Sequence, residues 1–236
     1  MSEQPKVAII TGASRGIGAA LIPAYRKLGF AVVAAARSID DQHDPELLTV
    51  SADVSVPGDG ARIVDAALQR FGRVDTVVNN AGIFVAKPFT EYTDDDYDAV
   101  TGVNLRGFFD VSRSAVAAMT QQGGGHLVTV STSLVDHANS AVPSALASLT
   151  KGGLNAVTKA LAIEYADRGI RANAVSLGVI RTPMHPPSTH AALARLHPLG
   201  RMGDIDDVVE AIMYLEQAPF VTGEILHVDG GQSAGH

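Results

Sequence analysis

Short apolar runs alternate along the chain with longer stretches whose apolar positions fall at helical spacing. Val7–Ile10, Phe30–Ala36, Leu47–Ser51, Val74–Val78, His126–Val130, Ala172–Leu177 and Ile225–Val228 read as strands. The early runs are apolar almost throughout, as parallel strands covered on both faces require. Helical spacing predicts helices over Ile17–Leu28, Ala61–Phe71, Asp94–Gln122, Pro143 to about Asp167, and Asp204–Leu215. Pro23 is expected to kink the first of these, and Gly29 to end it. The polar stretch Ser38–Glu46 reads as a loop rather than a crossover helix. Strands alternating with helices through right-handed crossovers imply an α/β fold, a doubly wound parallel sheet of Rossmann type with about seven strands and helices on both faces. The proline-rich stretch from Gly178 to His197 and on to about residue 200 reads as an excursion rather than core.

The unusual residues fall where strands stop. Thr11-Gly12-Ala13-Ser14-Arg15-Gly16-Ile17-Gly18 follows the first strand and opens the first helix. Gly12 turns the chain, Gly16 lets backbone approach a phosphate, and Gly18 lets the helix pack closely on its strand. The helix start then offers free N–H groups and a positive dipole end to a pyrophosphate. Later strands end in Ala36-Arg37, Ala52-Asp53-Val54, Asn79-Asn80-Ala81-Gly82 and Ser131-Thr132-Ser133. In open α/β sheets ligands bind beyond these carboxyl ends.

Composition narrows the picture. A chain of 236 residues, 46% of them hydrophobic, can bury one core, so residues 1–236 read as a single domain. A net charge of −7 argues against nucleic-acid or anionic-membrane partners. The absence of cysteine excludes disulfides, thiolate catalysis and cysteine-bound zinc, and fits a reducing compartment. Met1 to Lys6 lacks the apolar core of a signal peptide, and no apolar run reaches membrane-spanning length, so the expectation is a cytoplasmic protein. No spacing among the eight histidines suggests a metal site.

Taken in order, the glycine stretch, Asp53, Asn79-Asn80-Ala81-Gly82, Val103-Asn104-Leu105, Ser133, Lys151, Asn173-Ala174-Val175, Thr182 and Val228-Asp229-Gly230-Gly231 resemble the short-chain dehydrogenase/reductase family over essentially the whole chain. The resemblance implies that Ser14, Arg15, Gly16 and Ile17, shaped by Gly12 and Gly18, hold a pyrophosphate. It implies that Asp53 and Val54 border an adenine, that Asn80, Ala81 and Gly82 line a ribose, and that Thr182 meets the nicotinamide carboxamide. Lys151 would bind the nicotinamide ribose hydroxyls and ease proton transfer, with Asn104 and Ser133 completing a catalytic set. Asn79 and Asp229 are expected to serve loop geometry. The resemblance further implies a homotetramer or homodimer, with the long helices at one interface and Gly230 to His236 near another.

An NAD-preferring member would place an acid at the end of the second strand, where this chain has Ala36 followed by Arg37. Arg37, with Arg15, could pair a 2′-phosphate, so NADP(H) is expected over NAD(H). Two departures stand out. The family's tyrosine, four residues before the lysine, is here Ala147, and no tyrosine lies between Tyr97, expected to pack on its helix, and Tyr165. Leu177-Gly178 stands where proline-glycine is usual. Lys151 acting through water, which Ser133 helps orient, is the favoured substitute donor, with Ser144, His137 and His185 as alternatives, whereas Ser148 is rotated to one side. Ser131 and Thr132 compete with Ser133 for the oxyanion side. Two functions follow: an NADPH-dependent oxidoreductase acting on a carbonyl or imine of a small organic molecule, or a dinucleotide-binding sensor or assembly partner without hydride chemistry.

Overall fold

The computed structural model describes residues 4–42 and 44–235. Met1 to Glu3, His43 and His236, which belong to the polar start, the Ser38–Glu46 loop and the C-terminal interface expected above, lie outside the described residues. Seven parallel strands form one sheet in the order β3-β2-β1-β4-β5-β6-β7. They are β1 (Val7–Thr11), β2 (Ala31–Ala36), β3 (Leu47–Ser51), β4 (Thr76–Asn79), β5 (Gly125–Thr132), β6 (Ile170–Leu177) and β7 (Ile225–Val228). Every residue of β1 and β2 is buried, which is why both read as uninterrupted apolar runs. β2 and β3 pair, and among the described residues no helix lies between them, as the polar loop foretold.

Helix α1 (Gly16–Lys27) covers one face of the sheet, and α2 (Asp59–Phe71) covers the other. On the α1 side, Leu21 and Tyr25 pack with Ile10, Val32 and Val128, and a C-terminal helix (Ile205–Gln217) adds Val208, Ile212 and Leu215. On the α2 side, Ile63 and Ala67 pack with Ile9, Val33, Val77 and Leu127. α1 runs through Pro23, whose ring lies on the solvent face, so the expected kink does not end the helix.

The helix expected from Asp94 to Gln122 is three pieces: α3 (Asp94–Thr101), a π-helical turn over Gly102–Arg106, and α4 (Gly107–Gln122). The extra residue per turn turns Asn104 inward, where it is buried. Glycines permit this by letting the segment press on the loop after β3: a Cβ on Gly107 would lie 2.8 Å from Val54. Tyr97, expected to pack, is instead half exposed. The remaining helices are α5 (Ala145–Glu164), the short α6 (His190–Ala194) within the excursion, and α7, the Ile205–Gln217 helix.

At the opposite end of the sheet from the loops that carry the motifs, Glu216 of α7 is a buried acceptor for three other elements. It takes hydrogen bonds from Tyr25 (3.2 Å), Thr76 (3.0 Å) and His126 Nδ1 (3.0 Å), while Asn173 faces His126 Nε2 at 3.1 Å. Asn173 donates there, so the imidazole is neutral with its hydrogen on Nδ1. Arg171 caps the last carbonyls of α7, donating to Leu215 and Glu216. Burial opposes ionisation of Glu216, but the bonds from His126 and Thr76 and the Arg171 charge outweigh it and hold the carboxyl below its ordinary range. Burial pushes His126 down, against the pull of Glu216.

Glu216→Ala should therefore leave three buried donors without an acceptor and cost about 3 kcal/mol or more in denaturant unfolding. His126 resists protonation only when folded, so the stability it contributes is present above its unfolded value near 6.5 and is lost as pH falls. The wild-type melting temperature should decline as pH drops from 7 toward 5, and this dependence should flatten in His126→Phe.

Candidate functional site

The glycine loop is tied to the end of β4. The Thr11 hydroxyl accepts the N–H groups of Asn80 (3.1 Å) and Ala81 (3.0 Å), and Asn80 Nδ2 donates to the carbonyls of Thr11 (2.9 Å) and Gly12 (3.3 Å). Gly12 and Gly16 take φ of +66° and +60°, a region that disfavours any side chain. A Cβ on Gly18 would fall on the Gly12 carbonyl and lie 2.7 Å from Asn80 Nδ2, so α1 begins in direct backbone contact with the loop. Above Gly16 there is space, and within 4 Å of a Cβ position only the Thr182 side chain, at 3.9 Å, approaches among the described residues. The structure thus brings Thr182 of the excursion to the glycine loop.

The first turn of α1 has neither a side-chain cap nor an acidic residue. Its N–H groups and positive dipole end face the open space beside the exposed Ser14 and Arg15, with Ile17 partly covered. These features suit an anionic diphosphate. Asp53 is built into a turn, its carboxylate accepting from the Ser55 N–H (3.0 Å) and hydroxyl (2.7 Å), and Val54 is buried under Gly107. Ala36 closes β2 and Arg37 is exposed. Neither Arg15 nor Arg37 pairs with a carboxylate among the described residues.

At the other end of the cleft, Asn104, Gly82 and Lys151 converge. Asn104 Oδ1 accepts the Ile83 N–H (3.0 Å), and its Nδ2 donates to the Ile83 carbonyl (3.1 Å) and to Thr150 Oγ1 (3.2 Å). The π turn therefore clamps the loop after β4 against α5. Lys151 Nζ donates to the Val130 carbonyl at 2.7 Å, and a Cβ on Gly82 would lie 3.1 Å from Nζ and 3.5 Å from Asn104 Oδ1. Loss of hydration lowers the Lys151 amine to about 8. Ala147, one turn earlier on α5, is buried.

Ser133 does not join this group. It is fully buried as the first residue of a 3₁₀ turn, and its hydroxyl points to the Leu177 carbonyl (3.2 Å) and Gln232 Oε1 (3.1 Å). The strand ends at Thr132, so alternation stops there and the turn carries Ser133 toward β6 and the C-terminal segment. Thr132 remains partly exposed, with its oxygen accepting the Leu134 N–H at 3.4 Å. Ser148 is also occupied, donating to the Leu134 carbonyl at 3.1 Å. Ser144, at the N-cap of α5, is buried and makes no capping bond. His185 Nδ1 bonds the Ile180 carbonyl (2.9 Å), a staple within the excursion, and the His137 N–H meets the Ser133 carbonyl (2.9 Å).

Two residues that sequence reasoning passed over hold this end together. Gln232 receives Ser133, and His197 Nε2 accepts the Val179 N–H at 2.9 Å. A Cβ on Gly178 would lie 2.7 Å from His197 Nε2, so the chain leaving Leu177 is held by that imidazole without a proline. Asn79, bonded to Ser112 (3.0 Å), and Asp229, accepting from Gly231 (2.9 Å) and Ser233 (2.8 Å), shape their loops. Among the described residues no three His, Asp or Glu side chains are placed to hold a metal, and no helix is long and apolar enough to cross a membrane.

A family model described as enoyl-(acyl carrier protein) reductase matches residues 12–233. A 3-oxoacyl-[acyl-carrier-protein] reductase, FabG, of Thermotoga maritima is 34% identical over 98% of this chain and 99% of its own. A solved 3-ketoacyl-(acyl-carrier-protein) reductase from Brucella melitensis, complexed with NADH, superposes with a TM-score of 0.88 at 33% identity, covering 97% of this chain and 98% of that one. The structure of ElxO with NADP bound gives a TM-score of 0.90 at 26% identity, covering 98% of this chain and 100% of that one.

The packing makes two stability outcomes distinct. Gly18→Ala must displace backbone and should cost about 1–3 kcal/mol in urea unfolding. Ser133→Ala, which removes one buried hydroxyl from its partners, should cost about 1 kcal/mol.

Proposed function

Because the chain belongs to the short-chain dehydrogenase/reductase family, we propose that it is an NAD(P)(H)-dependent oxidoreductase acting on a carbonyl or imine of a small organic molecule, with Lys151 rather than a tyrosine governing the proton. The convergence of Lys151, Gly82 and Asn104 across the cleft from an uncapped glycine loop carries this reading. A protein that merely held a dinucleotide would use Lys151 on the ribose but would have no need of Asn104 beside it.

The dinucleotide supplies the hydride when bound. Ser14 to Ile17 hold its pyrophosphate, Asp53 and Val54 its adenine, Asn80 to Gly82 its adenine-side ribose, Lys151 the nicotinamide ribose and Thr182 the carboxamide. Relatives are seen with NADH and with NADP, so charge decides the preference. Arg37 with Arg15, neither committed to a carboxylate, favours NADP(H).

Ala147 leaves room for water where a larger side chain would stand, and an alanine cannot donate a proton. Lys151, at about 8, is largely protonated at neutral pH yet near enough to it to release a proton, so water held by Lys151 passes one to the substrate. Thr132, with the accessible hydroxyl, takes the oxyanion side in place of Ser133. Substrates needing little acid help suit this site, such as protonated imines and activated carbonyls. Phe109, Leu149 and Ile163, at 56%, 62% and 79% exposure on α4 and α5, supply an apolar face for a homodimer or homotetramer.

Optical assay of NADPH oxidation across ketones, aldehydes and cyclic imines, wild type beside Ala147→Tyr, tests the proposal. Wild-type turnover is expected, falling as pH rises through about 8 while the reverse oxidation rises. A silent wild type with an active Ala147→Tyr would mean a dinucleotide-binding protein instead. Thr132→Ala should lower kcat by about 10²-fold, whereas Ser133→Ala should leave it near wild type. Arg37→Ala should weaken NADPH binding by about 10- to 100-fold and spare NADH, read by fluorescence titration.

A further inference from the structure

Asn104 grips Ile83 with both ends of its amide, but that exchange alone ties neither residue to α5. The tie is Thr150, a residue with no exposed surface. Its hydroxyl accepts from Asn104 Nδ2 at 3.2 Å and lies 3.1 Å from the carbonyls of both Leu146 and Ala147 in its own helix. A hydroxyl has one hydrogen. Here that hydrogen is used inside α5, on the turn that contains Ala147, so toward the π turn Thr150 can only accept. Asn104 must therefore present Nδ2 to α5, which is the same orientation that the Ile83 N–H and carbonyl require. The reversed amide would set its oxygen against the Thr150 lone pair and its NH₂ against the Ile83 N–H.

These contacts close a ring. Lys151 follows Thr150 in the chain, and its Nζ lies 3.1 Å from a Cβ position on Gly82. Gly82 is joined to Ile83, which Asn104 holds, and Asn104 returns to Thr150. The Val130 carbonyl secures the ammonium group to β5 at 2.7 Å but does not touch the loop after β4. Leu105, next to Asn104, meets α5 through an apolar contact, 3.9 Å from a Cβ position on Gly153, and such a contact sets no direction. Among the described residues no second hydrogen bond joins the π turn to α5. The spacing between Lys151 and Gly82 therefore depends on the Thr150 hydroxyl.

We propose that Thr150 is a positioning residue for Lys151: by accepting from Asn104 it fixes α5 against the Gly82–Ile83 loop and keeps the ammonium group packed on Gly82. Thr150 itself reaches no substrate, since its hydroxyl is fully engaged between Asn104 and its own helix. Thr150→Val keeps the shape of the side chain but removes the acceptor, leaving a buried Asn104 N–H unpaired. The loop then parts from α5 and water reaches the amine. What this spacing means for turnover rests on the proposed oxidoreductase function, but the spacing itself does not.

The test is a pH titration of the free protein by NMR of ¹³C-lysine side chains, with Lys151 assigned by its loss in Lys151→Met. Lost hydration is what holds the amine at about 8. In Thr150→Val the Lys151 midpoint should therefore rise by about one pH unit, and Thr150→Ser, which keeps the hydroxyl, should restore the wild-type value. A threonine that serves packing alone would change melting and leave the midpoint in place. An unmoved midpoint in Thr150→Val, or a Thr150→Ser midpoint that moves with it, would overturn the proposal. Should Thr150→Val not fold, the wild type decides. Its Asn104 side-chain amide, identified by its contact with the Thr150 methyl, should shift with the Lys151 titration, and an amide blind to that titration would overturn the proposal. Neither readout needs turnover, so a moved midpoint in a protein without activity would overturn the proposed function and leave the role of Thr150 standing.

Discussion

The contact between the end of β1 and the end of β4 is the constraint on which the site depends. The strand order reverses at β1, so the glycine loop and the Asn80 loop leave the sheet side by side with no strand beyond them. Their unpaired backbone groups would be costly if left dry. Thr11 and Asn80 resolve this reciprocally, the hydroxyl taking two N–H groups and the amide feeding two carbonyls. Once that exchange is made, only glycine fits at position 18 and α1 has one place to start. The phosphate-facing N–H groups are thus placed by a hydrogen-bond exchange one layer below them.

The reacting end follows the same rule with longer connections. Asn104 reaches Ile83 and Thr150 only because the π turn rotates it inward, and in doing so it joins α5 to the loop after β4. Lys151 is held between that loop and β5. Depth lowers its affinity for a proton, and one backbone carbonyl offsets only part of the lost hydration. The burial that makes the amine useful near neutral pH also makes it depend on whatever polar groups stay within reach.

Far from the cleft, the Glu216 cluster does for the other end of the sheet what Asn80 does for this one. It fastens α7 and α1 to β4 and β5 through a single carboxylate. An ion buried for such a purpose stabilises only while every partner is present.

The sequence by itself determined the alternation of elements, the all-apolar central strands, the glycine loop and the loop character of Ser38–Glu46. Each of these is decided by neighbours within a strand, a turn or one helical repeat. Lys151 and Asn104 stood out only through the resemblance to the short-chain dehydrogenase/reductase family. Tertiary structure decided that Ser131 and Ser133 are buried while Thr132 stays partly exposed, because the outcome turns on where strand alternation ends and on Gln232, 99 residues away from Ser133. It decided the π turn, which continues the helical spacing of its flanks and leaves no break in the apolar pattern. It also decided the roles of His197 and of Glu216, the latter bonded to Tyr25 across 191 residues. Periodicity reports what a residue does to its chain neighbours. A buried hydrogen bond between distant segments exists only once the crossovers have brought its donor and acceptor together and excluded water from between them.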